Sequence, residues 1–441
     1  MQSLEFLLFL LDNLLEFTVI NICTFIILFF FIKRILFAGM LDPLFFILVV
    51  GFSTKYAIVF FLYFNGLVTN FLFLMVVSYC SIFIISFTFF SSSKYKSIFV
   101  TLINSIAKHS NGIYEYRFCL FIYLIIALFI LSNIGFGVFA QTNRFENSRG
   151  FGAFVRVLDL LSVFIIAHSA ILISRVNRFS NKILFSILLL LFIILSALIN
   201  GAKISILFGL MTALFAIQLT YKGSKVSIKN LVFMIGFGVM FMFFALKINM
   251  SNNGEDISSS SKNIVGASLV QEKFINRMVS NGNTAYLILP NDIIDELKTD
   301  NIFIRILTPV IGITQMSKVV GYNAGDYSVG RQSLLYHHGD VTVAGGPTSH
   351  FDFFSYVYLG VIGGAFFVFF IGSLLGNLHN AIKVHNNKNN KNDFLTTLYT
   401  VFWFRAVIIL VEPSVGFAYI FDAFVILFSI AIAVLILKRI S

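Results

Sequence analysis

Charged residues and cysteines are scarce in this chain. Only 12% of its 441 residues are Asp, Glu, Lys or Arg, and it contains three cysteines, five prolines and one tryptophan. Disulfide frameworks belong to chains with cysteines at regular spacings in extracellular segments. Because Cys23, Cys80 and Cys119 all lie in or beside apolar runs, the sequence predicts neither a disulfide framework nor a cysteine metal site.

Apolar residues are correspondingly abundant. The hydrophobic fraction is 58% and the mean hydropathy is +0.93, whereas soluble proteins average about 45–50% apolar residues. The charges fall between apolar runs of about 20 residues, the length that crosses the hydrocarbon core of a bilayer as a helix. The pattern predicts an all-α, polytopic transmembrane protein.

The apolar runs predict eleven spans, with twelve as the alternative because Lys55 interrupts the second run. The runs lie at 17–32, 43–64, 70–90, 118–139, 153–174, 183–199, 203–221, 230–248, 354–377, 394–411 and 417–437. The short connections rich in Lys and Arg all fall on one side, which the positive-inside rule assigns to the cytoplasm. Residues 1–16 carry acidic residues but no Lys or Arg, so we expect no cleavable signal peptide and an outer N-terminus.

This topology divides the chain into three segments. Residues 1–248 hold the N-terminal spans, 249–353 form one large outer loop, and 354–441 hold the C-terminal spans. Within the loop, apolar residues recur at helical spacing over 262–280 and 301–320, which predicts amphipathic helices that lie on the bilayer or cap a cavity. No internal repeat is visible, which disfavours the transporter folds built from duplicated halves.

Cations on the outer side are the feature that points to a ligand. Arg144, Arg149 and Arg156 belong to a short outer loop and its edge, against the positive-inside rule. Lys203 begins a helix on the same side, where its ammonium adds to the positive helix end; snorkelling to the interface is the alternative interpretation. An anion on the outer side explains all four, and a lipid-linked diphosphate is the natural candidate.

The net charge of +11 has another cause. Basic inner loops facing anionic lipid account for most of it. The chain has no Arg-rich helix with interleaved aromatic residues, so we expect no nucleic-acid partner. We also expect no metal and no cofactor, since the seven His form no pair at metal-ligand spacing on a helix.

Candidate proton acceptors are found near the end of the loop and in the last hairpin. They are His337, His338, His350, Asp352 and Glu412. His350 and Asp352 follow a Gly-Gly-Pro turn at 345–347, at the mouth of a helix whose free N–H groups suit an anion. A His or carboxylate near cations can act as a general base; a solvated loop histidine is the commoner alternative for His337 and His338.

The last hairpin also places two charges inside spans. Arg405 and Asp422 lie at similar distances from the turn at 413–416. At a rise of about 1.5 Å per residue they reach similar depth, and a buried pair is the cheapest way to hold either charge in lipid. We therefore expect an ion pair between them, structural rather than catalytic.

Two segments carry a resemblance to a known family. One is Asn200-Gly201-Ala202-Lys203 entering a Leu/Ile-rich helix, and the other is residues 345–350 leading into Tyr-Val-Tyr-Leu-Gly-Val-Ile-Gly-Gly at 356–364. With the many spans, the large outer loop and the basic inner loops, the chain resembles the O-antigen polymerases of bacterial inner membranes. Relatives, including O-antigen ligases, place Arg or Lys at such a helix mouth; Lys203 keeps the charge but lacks the guanidinium fork.

The resemblance implies glycosyl transfer between undecaprenyl-diphosphate-linked oligosaccharides on the periplasmic face. The leaving diphosphate needs positive charge where negative charge develops. The residues that the resemblance suggests for diphosphate binding are Arg144, Arg149, Arg156, Lys203, Arg277, Arg305 and Arg331. The base would be one of the five candidates above, with His350 preferred. A chain-length regulator protein is an expected partner.

Two other functions stay open at this point. An O-antigen ligase, which hands the finished glycan to a lipid A core, has the same sequence features. A lipid-linked oligosaccharide flippase would carry charges along a central path and would not need so large an outer loop.

Overall fold

The computed structural model consists of helices and turns throughout the part of the chain that it describes. The described residues are 1–33, 35–36, 38–92, 97–107, 112–137, 150–201, 204–221, 236, 240, 279–339, 345–388 and 392–440. No strand occurs among them, and nine of their helices are long and apolar enough to cross a bilayer. The predicted all-α, multi-pass membrane architecture is confirmed.

We number the helices in chain order. Those of the first half are α1 (Ser3–Asp12), α2 (Leu14–Lys33), α3 (Pro43–Phe64), α4 (Asn70–Phe90), α5 (Ile98–Ala107), α6 (Ile113–Asn133), α7 (Gly152–Ser174), α8 (Phe179–Asn200) and α9 (Ile204–Thr220). Those of the second half are α10 (Asn283–Ile288), α11 (Ile302–Ile311), α12 (Ile313–Val320), α13 (Val329–His337), α14 (Phe351–Asn386), α15 (Asp393–Leu410) and α16 (Pro413–Ile440). The spanning candidates are α2, α3, α4, α6, α7, α8, α14, α15 and α16.

Nine of the eleven predicted apolar runs match these spanning helices. The run at 203–221 forms α9, whose 17 residues fall short of the length of about 20 that crosses a bilayer. The run at 230–248 lies outside the described residues except for Gly236 and Met240. The total of eleven spans and the limits of the outer loop therefore stay predictions. Of the two amphipathic segments, 301–320 forms α11 and α12, separated by Gly312.

Burial separates the central helices of the bundle from the peripheral ones. Helices α3 and α15 have 72% and 83% of their apolar windows buried, whereas α2 and α8 have only 22% and 17%. The exposed side chains of α2 and α8 are mainly Leu, Ile, Val and Phe, as expected for surfaces that face lipid. Residues 279–339 pack on one end of the bundle, which we call the loop end.

Helix α14 is two helices joined at Gly360, which has φ 65° and ψ −167°. Phe354 stacks on Phe367 with ring centroids 5.7 Å apart, although a straight helix would hold their Cα atoms about 20 Å apart. A short arm (351–359) and a long arm (361–386) therefore fold back on each other. The sequence predicted one apolar run at 354–377, which the structure divides at Gly360, because this residue adopts a backbone conformation closed to residues with a Cβ.

The two arms run in opposite directions along α4. Phe351 lies beside Phe83 of α4, with ring centroids 5.3 Å apart, whereas Tyr356 lies beside Phe71, near the start of α4, at 6.3 Å. The short arm thus runs from the interior of the bundle towards its loop end, and the long arm runs back. His350, at the start of the short arm, is placed inside the bundle by this fold.

The long arm packs closely on α4 through glycines. A Cβ atom on Gly372 would overlap the hydroxyl of Ser86 and lie 2.9 Å from the carbonyl oxygen of Phe83. Small residues let two membrane helices approach in this way. At Gly363, a Cβ atom would meet only the side chain of Leu359 in its own hairpin.

We predict that Gly372→Ala lowers the melting temperature of the detergent-solubilised protein, because over-packing a close contact costs about 1–3 kcal/mol. Gly363→Ala is the matched control and should change stability by no more than about 1 kcal/mol, because its Cβ atom would meet only Leu359 and the difference in helix propensity between Gly and Ala is of that size. Equal melting temperatures for the two variants would contradict this packing.

Candidate functional site

Four charged side chains meet near the loop end, where α7, α15 and α16 pack together. Arg405 Nη1 donates to Asp159 Oδ2 at 2.6 Å, and Arg156 Nε lies 2.9 Å from Asp422 Oδ2. We call Arg156, Asp159, Arg405 and Asp422 the charge cluster. The Arg405 side chain is 5% exposed and the other three are 11–23% exposed, so the cluster lies within the bundle but is partly accessible.

The predicted pair between Arg405 and Asp422 is wrong, because each takes a different partner. The depth argument placed both residues correctly near each other, and Asp422 acts electrostatically on Arg405. The argument missed α7, which supplies Arg156 and Asp159 to the same place. Their spacing of three residues puts both on one face of a helix, and this signal in the sequence could have revealed the second helix of the cluster.

Arg405 keeps one edge of its guanidinium unused. Its Nε and Nη2 atoms are buried and have no hydrogen-bond partner among the described residues, while the ring of Tyr419 lies 4.5 Å from the guanidinium carbon. Nε–H and Nη2–H point the same way and form the fork that binds a carboxylate or phosphate through two oxygens. Leaving charged donors unpaired in a buried position is costly, so this edge is a candidate binding position.

Asn200 borders the charge cluster. Its Nδ2 atom donates to Asp159 Oδ1 at 3.3 Å, and a Cβ atom on Gly201 would overlap the backbone of Gly137. The sequence segment that begins at Asn200 therefore reaches the cluster. Lys203, the predicted cation of that segment, lies outside the described residues.

The other predicted cationic ligands fall into two groups. Four of them lie outside the described residues, namely Arg144, Arg149, Lys203 and Arg277. Arg305 and Arg331 are buried and pair with acidic residues of the loop, Asp300 at 2.7 Å and Asp326 at 3.3 Å. Since Arg156 also has a carboxylate partner, every predicted diphosphate ligand that the structure describes already holds part of the fold together.

Asp352 is the partner of a buried lysine. Its carboxylate pairs with Lys55 of α3, and both side chains are fully buried; the hydroxyl of Tyr56 lies 3.4 Å from the same oxygen. Lys55 interrupts an apolar run, and the structure supplies the physical reason for its presence: it neutralises Asp352. A carboxylate in a closed ion pair is in no position to take a proton from a substrate.

His350 is packed inside the bundle and is only 2% exposed. Its backbone N–H donates to the carbonyl of Val411 at 2.9 Å, and its ring meets Phe52 of α3 edge to face at 4.9 Å. Nε2 lies 3.2 Å from the hydroxyl of Thr348. These contacts fix the start of the short arm and leave the ring little access from outside.

The two loop histidines occupy different surroundings. His337 Nε2–H donates to the carbonyl of Leu287 at 2.8 Å and so joins α13 to α10. His338 directly follows the last residue of α13 and is exposed. The exposure of His338 agrees with the alternative of a solvated loop histidine. His337 instead makes a hydrogen bond that connects two helices.

Glu412 is the remaining candidate base, and it lies between α15 and α16. Its carboxylate accepts hydrogen bonds from the N–H of Ser349 at 2.9 Å and from the hydroxyl of Ser414 at 3.2 Å, and the side chain is partly exposed. Burial raises the pKa of Glu412, and these hydrogen bonds with the charge of Arg305 oppose the shift only in part. A raised pKa and partial exposure suit a general base near neutral pH.

Helix α11 joins Glu412 to the charge cluster. Near its start, Arg305 acts electrostatically on Glu412. Near its end, the carbonyl of Val310 accepts a hydrogen bond from Arg156 at 3.2 Å. The charge cluster lies near the end of α11 and Glu412 nearer its start, and we treat the two together as the candidate site. Within the described ranges, no group of three or more His, Cys, Asp or Glu side chains is arranged to hold a metal ion.

A charge-exchange experiment distinguishes the observed partners of Arg405 from the predicted one. We expect Arg405→Asp to reduce the melting temperature strongly, because breaking a buried pair costs about 3–5 kcal/mol. Asp159→Arg in the same chain should restore much of the loss, and Asp422→Arg should restore less. Better rescue by Asp422→Arg would indicate that Arg405 pairs with Asp422, as the sequence predicted.

A second prediction uses the raised pKa of Glu412. A carboxyl group with a raised folded-state pKa stabilises the fold while it is protonated, and this contribution is lost as the pH rises from the unfolded pKa through the folded one. The melting temperature of the native protein should therefore fall, relative to that of Glu412→Gln, as the pH is raised above about 4.5. A difference between the two proteins that is constant from pH 4 to 8 would argue against the raised pKa.

Comparisons with known proteins give no relative for this chain. No family model, no curated protein and no solved structure matches it.

Proposed function

We propose that this protein is an O-antigen polymerase, a glycosyltransferase that joins undecaprenyl-diphosphate-linked repeat units on the periplasmic face of a bacterial inner membrane. The observation that supports it best is the unused, buried edge of Arg405 in a partly accessible charge cluster at the loop end. A guanidinium edge of this kind suits a phosphate oxygen pair, and a diphosphate leaving group needs such donors where its charge develops.

The proposed reaction uses the two parts of the candidate site. A hydroxyl oxygen of the acceptor sugar attacks the anomeric carbon of the donor, and the bond from that carbon to the diphosphate oxygen breaks. The hydroxyl proton passes to Glu412, and the electron pair leaves with the lipid diphosphate, which Arg405 stabilises through its unused edge. Glu412 replaces His350 as the preferred base because Glu412 is partly exposed, whereas His350 is only 2% exposed and has Phe52 against its ring.

A transporter of lipid-linked oligosaccharides is the second candidate, and two observations favour it. Helix α14 is broken at Gly360, and a buried ion pair joins its short arm to α3. Broken helices and charges among spans are typical of transporters.

A ligase shares every feature of the first proposal.

Glycans of a deletion strain separate the three functions. A single repeat unit on the lipid A core supports the polymerase. Complete loss of attached glycan supports the ligase, and repeat units that accumulate on the inner leaflet support the transporter.

Substitution of Arg405 tests the proposed role of its guanidinium edge. We expect Arg405→Gln to lower polymer formation at least about tenfold, and Arg405→Lys to lose most of it too, because an ammonium lacks the fork. Polymer length in membranes and transfer by the purified protein in proteoliposomes are the measurements. Arg175→Gln is the matched control, since Arg175 pairs with Asp393 between the same two helices, α7 and α15, at the opposite end.

Arg175→Gln should leave polymer length unchanged, which would show that loss of a charged contact between α7 and α15 does not by itself stop polymer formation. Because Arg175 is half exposed and Arg405 is buried, the melting temperature of Arg405→Gln is measured as well, so that a loss of stability is separated from a loss of binding. Full-length polymer from a well-inserted Arg405→Gln protein would remove the support for diphosphate binding at this residue.

A further inference from the structure

Helix α11 has its polar side chains buried and its apolar side chains exposed. Phe303, Leu307 and Ile311 are 71%, 46% and 48% exposed, whereas Arg305 and Thr308 are 4% and 2% exposed. The three apolar residues are spaced at one turn and form one stripe. A helix on the surface of a water-soluble domain has the reverse arrangement, so the stripe indicates an apolar environment outside α11.

The polar side of α11 is satisfied by the protein. Arg305 pairs with Asp300 and donates to the carbonyl of Ala324 at 2.5 Å, and the hydroxyl of Thr308 donates to the carbonyl of Ile304. The hydrogen bond from Arg305 to Ala324 therefore holds the inner face of α11 against the rest of the loop, and the apolar stripe faces outwards.

The exposed stripe continues a surface that already faces lipid. Helix α11 packs along α16, a spanning candidate with only 28% of its window buried. The exposed side chains of α16 in this part include Phe421 and Val425, at 51% and 47%. Two neighbouring helices thus present apolar surface side by side.

Depth along α16 places the end of α11 inside the membrane. Arg156 connects the carbonyl of Val310 to Asp422. Asp422 follows Pro413, the start of α16, by nine residues, or about 14 Å at the rise of an α-helix. The last turn of α11 therefore lies well below the start of that span and at the level of its hydrocarbon-crossing part.

We propose that α11 is inserted in the lipid leaflet at the loop end, where Phe303, Leu307 and Ile311 contact acyl chains. Its inner face meets Arg156 at the charge cluster, so α11 forms the wall between the hydrocarbon and the candidate site. The inference concerns placement in the bilayer and holds whichever reaction the site performs.

Depth-dependent quenching tests this placement. Single-cysteine variants Phe303→Cys, Leu307→Cys and Ile311→Cys are made in a chain without the three native cysteines, labelled with an environment-sensitive fluorophore, and reconstituted in phosphatidylcholine vesicles. Val425→Cys on α16 is the lipid-facing control, and Lys318→Cys, at an exposed position of α12, is the aqueous control. Brominated acyl chains quench from the lipid, and iodide quenches from water.

We expect the three labels on α11 to be quenched by brominated lipid to a similar extent as Val425→Cys and several-fold more than Lys318→Cys. Iodide should give the reverse order. Labels on α11 that iodide quenches like Lys318→Cys would overturn the inference by placing the helix in water. Labels that neither quencher reaches would overturn it too, because protein would then cover the stripe.

Discussion

Opposite charges that must pair inside an apolar bundle determine how this protein is arranged. A lone charge among membrane helices is costly, and a partner of the opposite sign removes most of the cost. Lys55 and Asp352 fix the short arm of α14 against α3. Arg405 with Asp159 does the same for α15 and α7. The candidate site occupies the place that these pairs define.

The break at Gly360 gives the second constraint. Because the chain turns back there, residues 345–350 enter the bundle before the short arm begins, and Ser349 and His350 reach the hairpin between α15 and α16. The N–H of Ser349 then meets Glu412. Without the break, a straight helix from 351 onwards would carry these residues away from the hairpin, and Glu412 would lose its hydrogen bond from Ser349.

The cations that first indicated an anionic ligand are mostly structural where the structure describes them. Arg305 and Arg331 hold the loop through Asp300 and Asp326, and Arg156 pairs with Asp422. The donors that could bind an anion belong to another residue of the charge cluster, Arg405. Arg405 was expected to be neutralised in a simple pair, yet it has buried N–H groups to spare.

The sequence by itself determined the membrane class, nine of the spans and the presence of charges inside them, because hydropathy and helix length act locally along the chain. It also placed Arg405 and Asp422 at similar depth through the constant rise of a helix. Only the tertiary structure decided which charges pair, since α7 approaches α15 and α16 by packing that no local pattern records. The hairpin at Gly360 and the outward apolar stripe of α11 were likewise decided only by the tertiary structure, because each depends on contacts between segments far apart in the chain.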